Sequence, residues 1–387
     1  MQLPVYLDHS ATTPVAPAVL EEMLPYFTER FGNASALYSV GMAARDGVEN
    51  AREILADALH ASPEEIVFTS GGTEADNMAL RGAAEANPQR RHLLTTPIEH
   101  HAVLEPLERL QHQGYELEML PVDGDGRVDF AAAAQMLRSD TLVVSVMHAN
   151  NEIGTVQDIA AFGALCRAHG VLFHTDAVQS FGKLPIDVHK MQIDLLSLSG
   201  HKLHAPKGVG ALYVRRGTAL ARFMDGGGQE RGRRGGTLNV PGIVGLGKAA
   251  ELAQEQMASE ANRLTELRDW FFERLTGAIP GAHICGSRTH RMPNNIHFCL
   301  EGVQGEPVLL ALDAAGICAS AGSACSTGST EPSHVLKAIG IPRDLARGAL
   351  RLTMGATTDQ AALEYVLGTL ARAVSDLRKL VGNAPSQ

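Results

Sequence analysis

Between residues 64 and 215, short apolar runs rich in β-branched residues alternate with alanine-rich stretches of helical period. This is the pattern of parallel βα units, and it predicts a doubly wound α/β domain. Expected strands are Ile66–Thr69, His92–Thr95, Leu142–Met147, Val171–His174, Asp194–Leu198 and Gly210–Val214. Expected helices between them are Thr73–Glu85, His101–Gln113 and Ile159–His169. A long helical pattern from Val244 to Leu275 has no strand partner and reads as a connector. Beyond residue 280 the order changes to strand (Asn295–Phe298), helix (Glu306–Ala315), small-residue loop, short helix (Pro332–Ile339), strand (Leu350–Met354) and helix (Asp359–Leu380), an α+β module of its own. No strong linker separates the two parts, so the cleft between them is the expected ligand site.

Composition narrows the function. Lys and Arg number 33 against 43 Asp and Glu, a net charge of -10, and no basic block could neutralise a phosphate backbone; direct nucleic-acid binding is not expected. The opening MQLPVYLDHS lacks the basic and apolar regions of a secretory signal. The longest apolar runs, such as Thr141–Met147, fall far short of the roughly 20 residues that cross a bilayer, so no membrane association is expected. Five cysteines (Cys166, Cys285, Cys299, Cys318, Cys325) without CxxC spacing point to a reducing cytoplasm, where a single cysteine can serve as a reactive thiol.

Three segments carry chemistry. TSGGTEADN (69–77) is a strand end, a Gly-Gly turn and a helix start, a geometry that suits an anion, although it has neither GxGxxG nor GK[ST] spacing. FHTDAVQSFG (173–182) ends an apolar strand in His174, Asp176 and Gln179. SLSGHKLHAPKGVGAL (197–212) ends a strand in Ser199, His201 and Lys202, where a lysine of lowered pKa can form an imine. A phosphate turn, then an acid, then a lysine 26 residues later describe a pyridoxal phosphate site. Arg351 in the strand ALRLTMG is a candidate for carboxylate capture. Cys325 lies in ASAGSACSTGST (319–330), a run too poor in apolar surface to be expected to hold a fixed shape.

Taken together, these motifs resemble the cysteine desulfurases of the class V, aspartate-aminotransferase-like pyridoxal phosphate enzymes. The resemblance runs nearly end to end, through YLDHSATTP (6–14), FGNAS (31–35), FTSGGTEADN, IEHHAVL (98–104), ANNEIGT (149–155), HTDAVQ, SGHK, GGGQERGRRGGT (226–237) and GSACSTGSTEPSHVL (322–336). The last is similar to the branch with an extended cysteine loop that serves iron-sulfur cluster assembly. The resemblance implies fold type I: a large domain (15–255) with a mostly parallel seven-stranded sheet flanked by helices, and a smaller α+β domain (1–14 and 256–387).

It also implies roles. Lys202 corresponds to the imine-forming lysine, Asp176 to the partner of the pyridine nitrogen, and Asn151 and Gln179 to the residues near the ring hydroxyl. His100 corresponds to the histidine stacked on the ring. Gly72, Thr73, Ser199 and His201 correspond to phosphate contacts, and Thr237 to a threonine that reaches the partner subunit's phosphate, which implies a homodimer. Arg351, with Asn33 beside it, corresponds to the group that binds the carboxylate of L-cysteine, and Cys325 to the nucleophile that becomes a persulfide. An iron-sulfur scaffold or another sulfur-acceptor protein is the implied partner. Leu203-His204-Ala205 and Ser10 depart from the usual pattern without touching a proton-transfer group.

Four other readings compete. A selenocysteine lyase differs in one substrate atom, and an aminotransferase needs no cysteine loop. A metal-binding module on His100, His101, His148, His174, His201 and His204 lacks ligand spacing such as HExxH. A silent scaffold is opposed by the presence of every catalytic position.

Overall fold

The computed structural model describes residues 4–322 and 332–382. Its central sheet has seven strands, in the order Ile66–Thr69, Gly210–Val214, Leu195–Ser199, Leu172–Asp176, Thr141–Ser145, His92–Thr95 and Glu116–Met119. All pairings are parallel except those of Gly210–Val214, which runs antiparallel to both neighbours. Helices cover both faces, so five of the strands are buried at every residue, as a sheet without a wet face requires. The edge strand Glu116–Met119 is at least partly exposed at every residue, and Arg138 pairs with its Glu116 at 2.7 Å and its Glu118 at 3.4 Å. Those two carboxylates blunt the open edge. They also hide the strand from a search for apolar runs.

A second sheet is antiparallel, in the order Ala282–Ile284, Asn295–Leu300, Ala349–Thr353. Its core gathers Phe271, Phe298, Leu350 and Leu352, and also takes in Leu7 from the far N-terminal end. The two cores are joined by the 39-residue helix Val240–Ala278. Its first turns place Val240, Ile243, Leu246 and Ala250 in the large core; its last turns place Leu264, Phe271 and Leu275 in the small one. Gly247 lets this helix touch the helix Ser39–Leu59, since a Cβ there would stand 2.7 Å from the Cβ of Ala51. The connector expected at Val244–Leu275 is therefore a little longer and serves both cores. Among the described residues no helix is long and apolar enough to cross a membrane.

Candidate active site

The carboxyl ends of the sheet strands, where open α/β sheets place ligands, floor a cavity of about 270 Å³. Into it come Gly72 and Thr73, His100, Asn151, Asp176, Gln179, Ser199, His201, Lys202 and Arg351. Ten of the residues singled out from sequence thus meet in one place. Asn33 and Thr237 do not: both are exposed and neither lines the cavity. Cys325 lies outside the described residues.

The anion end is built by the turn before the helix Gly72–Ala86. Gly71 has φ +154°, which a side chain would strain, and a Cβ on Gly72 would stand 2.7 Å from Val178 Cγ2. Gly72 and Thr73, the first residues of this helix, line the cavity, and nothing larger than glycine fits at Gly72. Lys202 sits in the single turn Gly200–Lys202 that ends the strand Leu195–Ser199. Its Nζ donates to the carbonyls of Ser10 and Ala11, the latter at 2.7 Å. The segment that carries those carbonyls is itself zipped to the lysine loop: Thr13 N–H donates to His201 O (2.9 Å), His204 N–H to Thr13 Oγ1 (2.8 Å) and Ala16 N–H to His204 O (3.0 Å). The departing His204 belongs to this zipper, with φ +62°.

Beneath the lysine lies a buried acid layer. Asp176 accepts the Val178 N–H at 2.8 Å, and burial, reinforced by the charge of Asp76, pushes its pKa up to about 8. Burial raises Asp76 to about 7. Between them His174 is held by Ser145 Oγ (2.8 Å) and Ser197 Oγ (3.2 Å), and burial lowers its pKa to about 4. A cation at this end of the cavity would find two carboxyls whose charged form burial disfavours and which it would help to ionise. Above it, His100 accepts the Ala102 N–H on Nδ1 at 3.1 Å, which leaves the proton of the neutral ring on Nε2. Burial first, then the charge of Lys202, holds its pKa near about 4. The donor set fits pyridoxal phosphate: N–H groups for the phosphate, a buried acid for the pyridine nitrogen, an amine for the aldehyde and a neutral ring beside them.

The opposite wall comes from the small sheet. Arg351 is buried and donates from Nη1 to the carbonyls of Asn151 (2.9 Å) and Gly322 (2.6 Å), and from Nη2 to Asp8 Oδ1 (2.7 Å). Gln179 Nε2 donates to Ser10 O at 3.1 Å, and His201 Nδ1 lies 3.2 Å from Thr12 Oγ1.

The profile of the aminotransferase class-V family matches residues 5–366. The chain belongs to the class-V aminotransferase family. Members of this family depend on pyridoxal phosphate, in agreement with the donor set. Among curated relatives, the cysteine desulfurase IscS of Dictyoglomus turgidum is 47% identical over 381 residues, 98% of this chain and 97% of that protein. The cysteine desulfurase IscS of Methanosarcina thermophila is 48% identical over 384 residues, covering 99% and 95%. Among solved structures, a NifS-like protein superposes with TM-score 0.91 at 37% identity, covering 97% of this chain and all of the other. SspA in complex with cysteine superposes with TM-score 0.80 at 38% identity, covering 90% and 98%.

Asp8, Asp76, Glu152 and His334 also border or brace this class-V site and were not singled out from sequence. Asp76 lies one helical turn beyond Gly72, a spacing that could have placed it on the same face. Glu152 accepts Ser333 Oγ at 2.5 Å, and the His334 ring stands 4.9 Å from that of His101. These long-range contacts leave no local pattern.

Proposed function

We propose that the protein is a pyridoxal-phosphate-dependent cysteine desulfurase that converts L-cysteine to L-alanine and carries the sulfur as a persulfide on Cys325. The observation that carries this reading is the meeting of Lys202, Asp176, His100 and the helix start at Gly72 in one cavity, opposite the buried Arg351. Bound there, pyridoxal phosphate supplies an electron sink for the bonds around the substrate's Cα.

The chain's own groups do the rest. Gly72, Thr73, Ser199 and His201 hold the phosphate, Asn151 and Gln179 the ring hydroxyl, and Asp176 the pyridine nitrogen. Arg351 orients the substrate carboxylate, sharing its guanidinium with Asp8. Lys202, once released from the aldehyde, takes the Cα proton. His100, neutral and protonated on Nε2, moves the proton of a thiol. Cys325 attacks the substrate sulfur as thiolate, because the thiol with its ordinary pKa of about 8.5 is a poor nucleophile. The atoms balance: L-cysteine and Cys325–SH become L-alanine and Cys325–S–SH, which an acceptor such as an iron-sulfur scaffold then discharges.

Further parts of the same reading are a cytoplasmic homodimer and a division into a large domain, 15–255, and a small one, 1–14 with 256–387. The division is supported by the two cores that the long helix joins. A dimer is supported by Thr237 lying away from its own cavity, and by a band of exposed apolar side chains, Phe27, Phe31, Leu37 and Tyr38, around Asn33.

The test is peptide mass analysis after brief exposure to L-cysteine without reductant. One added sulfur on the Cys325 peptide is expected, and none in Cys325→Ala, which keeps its bound cofactor. Alanine and sulfide released by Cys325→Ala at the parental rate would refute the assignment.

A further inference from the structure

A cavity larger than the one that holds the catalytic groups lies beside it. This second chamber, of about 510 Å³, lies behind Lys202, between the two cores. The segment His9–Pro14 separates the two: its Ser10 and Ala11 face the first cavity, while His9, Thr13 and Pro14 face the second. One wall is apolar, formed by Leu252, Met257, Ala261 and Leu264 along the long helix, with Met354 opposite. The other end is basic, with Lys183, Lys202 and His204.

The charges in this chamber do not cancel. Lys183 Nζ donates to Gln179 O at 3.1 Å, but an ammonium has three donors, and among the described residues no carboxylate pairs with Lys183. The one acid on the rim, Glu260, is already held by Arg263 through bonds of 2.9 and 2.7 Å. A cation that lines a largely apolar chamber without a counter-charge is costly in isolation and becomes favourable when an anion arrives. Burial, followed by the charge of Lys202, already lowers the Lys183 pKa to about 7. The volume lies within the range of ligand pockets, and apolar walls with a few convergent polar groups are the usual composition of such sites.

We propose that this chamber binds a small anionic amphiphile, an aliphatic carboxylate whose head pairs with Lys183 and whose tail lies along Leu252, Met257, Ala261 and Leu264. Charge and shape together select this class: a polar anion would leave the apolar wall uncovered, and a neutral apolar molecule would leave Lys183 without a counter-ion. The chamber meets the catalytic cavity at Lys202, from behind the segment His9–Pro14, and the inference goes beyond the proposed desulfurase reading because its test reads binding rather than turnover.

The experiment is isothermal titration calorimetry of octanoate into the cofactor-loaded protein without L-cysteine, with 1-octanol as the uncharged control. Saturable binding of one octanoate per chain is expected, with octanol weaker. Lys183→Met should raise the octanoate Kd about tenfold or more, the loss of one charge-assisted contact. Ala261→Trp, which fills the chamber, should abolish binding, and Met257→Trp should do the same from a neighbouring position if the first variant folds poorly. Circular dichroism and cofactor absorbance confirm that each variant is folded and loaded. No saturable heat, an unchanged Kd in Lys183→Met, octanol binding as tightly as octanoate, or binding that survives both tryptophans would each overturn the proposal.

Discussion

The floor and the far wall of the catalytic cavity are built on opposite electrostatic plans. The floor groups Asp76, His174 and Asp176 sit on the parallel sheet and the helix that follows its first strand, and desolvation dominates all three: both acids are pushed up and the histidine is pushed down. The wall group Arg351 is equally buried, yet it keeps a carboxylate at 2.7 Å and two carbonyls on its fork. The floor is therefore a set of groups whose charge depends on what binds, whereas the wall carries a fixed charge that binding redirects. A cofactor that brings its own ring charge suits the first, and a succession of substrate carboxylates suits the second. Lys202 belongs to neither, since it hangs from the N-terminal segment that lies between them.

The comparison breaks most severely at that junction. Lys202→Ala removes the only amine placed to take the Cα proton in this scheme, and alanine formation should fall on the order of 10⁴-fold with the fold intact. Turnover within tenfold of the parent would mean that another group is the base. Next in size is a change that touches neither floor nor wall. Glu230 receives both Nη atoms of Arg52 at 2.8 Å and the Phe68 N–H at 2.9 Å, and tethers the 226–237 segment to the sheet. Glu230→Gln leaves the buried Arg52 with only the half-exposed Glu49, at 3.1 Å, as counter-charge and should cost about 3 kcal/mol in urea unfolding. A third test addresses the wall alone. Arg351→Lys keeps the charge but loses the planar fork, so kcat/KM for L-cysteine should drop on the order of 10²-fold with an unchanged cofactor absorption spectrum. A spectrum that moves with this substitution would tie the wall to the floor.

The same contrast explains what was legible in the sequence. Ile66–Thr69, His92–Thr95 and Gly210–Val214 have the expected bounds because a strand covered on both faces must be apolar at each position. Glu116–Met119 was not expected, since an edge strand blunted by carboxylates reads as loop. The helix Ser39–Leu59 was not expected either: its buried face mixes Val48, Leu55 and Leu59 with Gly41, Ala44, Gly47 and Ala51, and the small residues dilute the apolar period. In the site, Asp176 and Lys202 could be picked out as strand-end residues. Asp8 could not: its role rests on Arg351, 343 residues away, and no local pattern encodes that contact.

The smallest predicted effect tests the floor. Removing pyridoxal phosphate takes the ring's charge from Asp176 and leaves the acids governed by burial. In the unfolded chain Asp76 ionises near its ordinary pKa of about 3.9, whereas the folded value is about 7. Between these two values the folded state holds a proton that the unfolded state has lost, so this group's contribution to stability falls as pH rises. His174 has the opposite sign: its folded pKa of about 4 lies below the ordinary value, and its contribution rises with pH from about 4 to 6.5. Above pH 7, Lys183, lowered to about 7, also contributes stability that increases with pH. The net slope mixes these terms, so the informative quantity is the difference between parent and Asp76→Asn. Measured by urea unfolding of the cofactor-free proteins, the variant should gain on the parent by on the order of 1–2 kcal/mol between pH 5 and pH 7. A difference that stays constant across that interval would mean that Asp76 is ionised in the fold, and the floor would then carry fixed charge as the wall does.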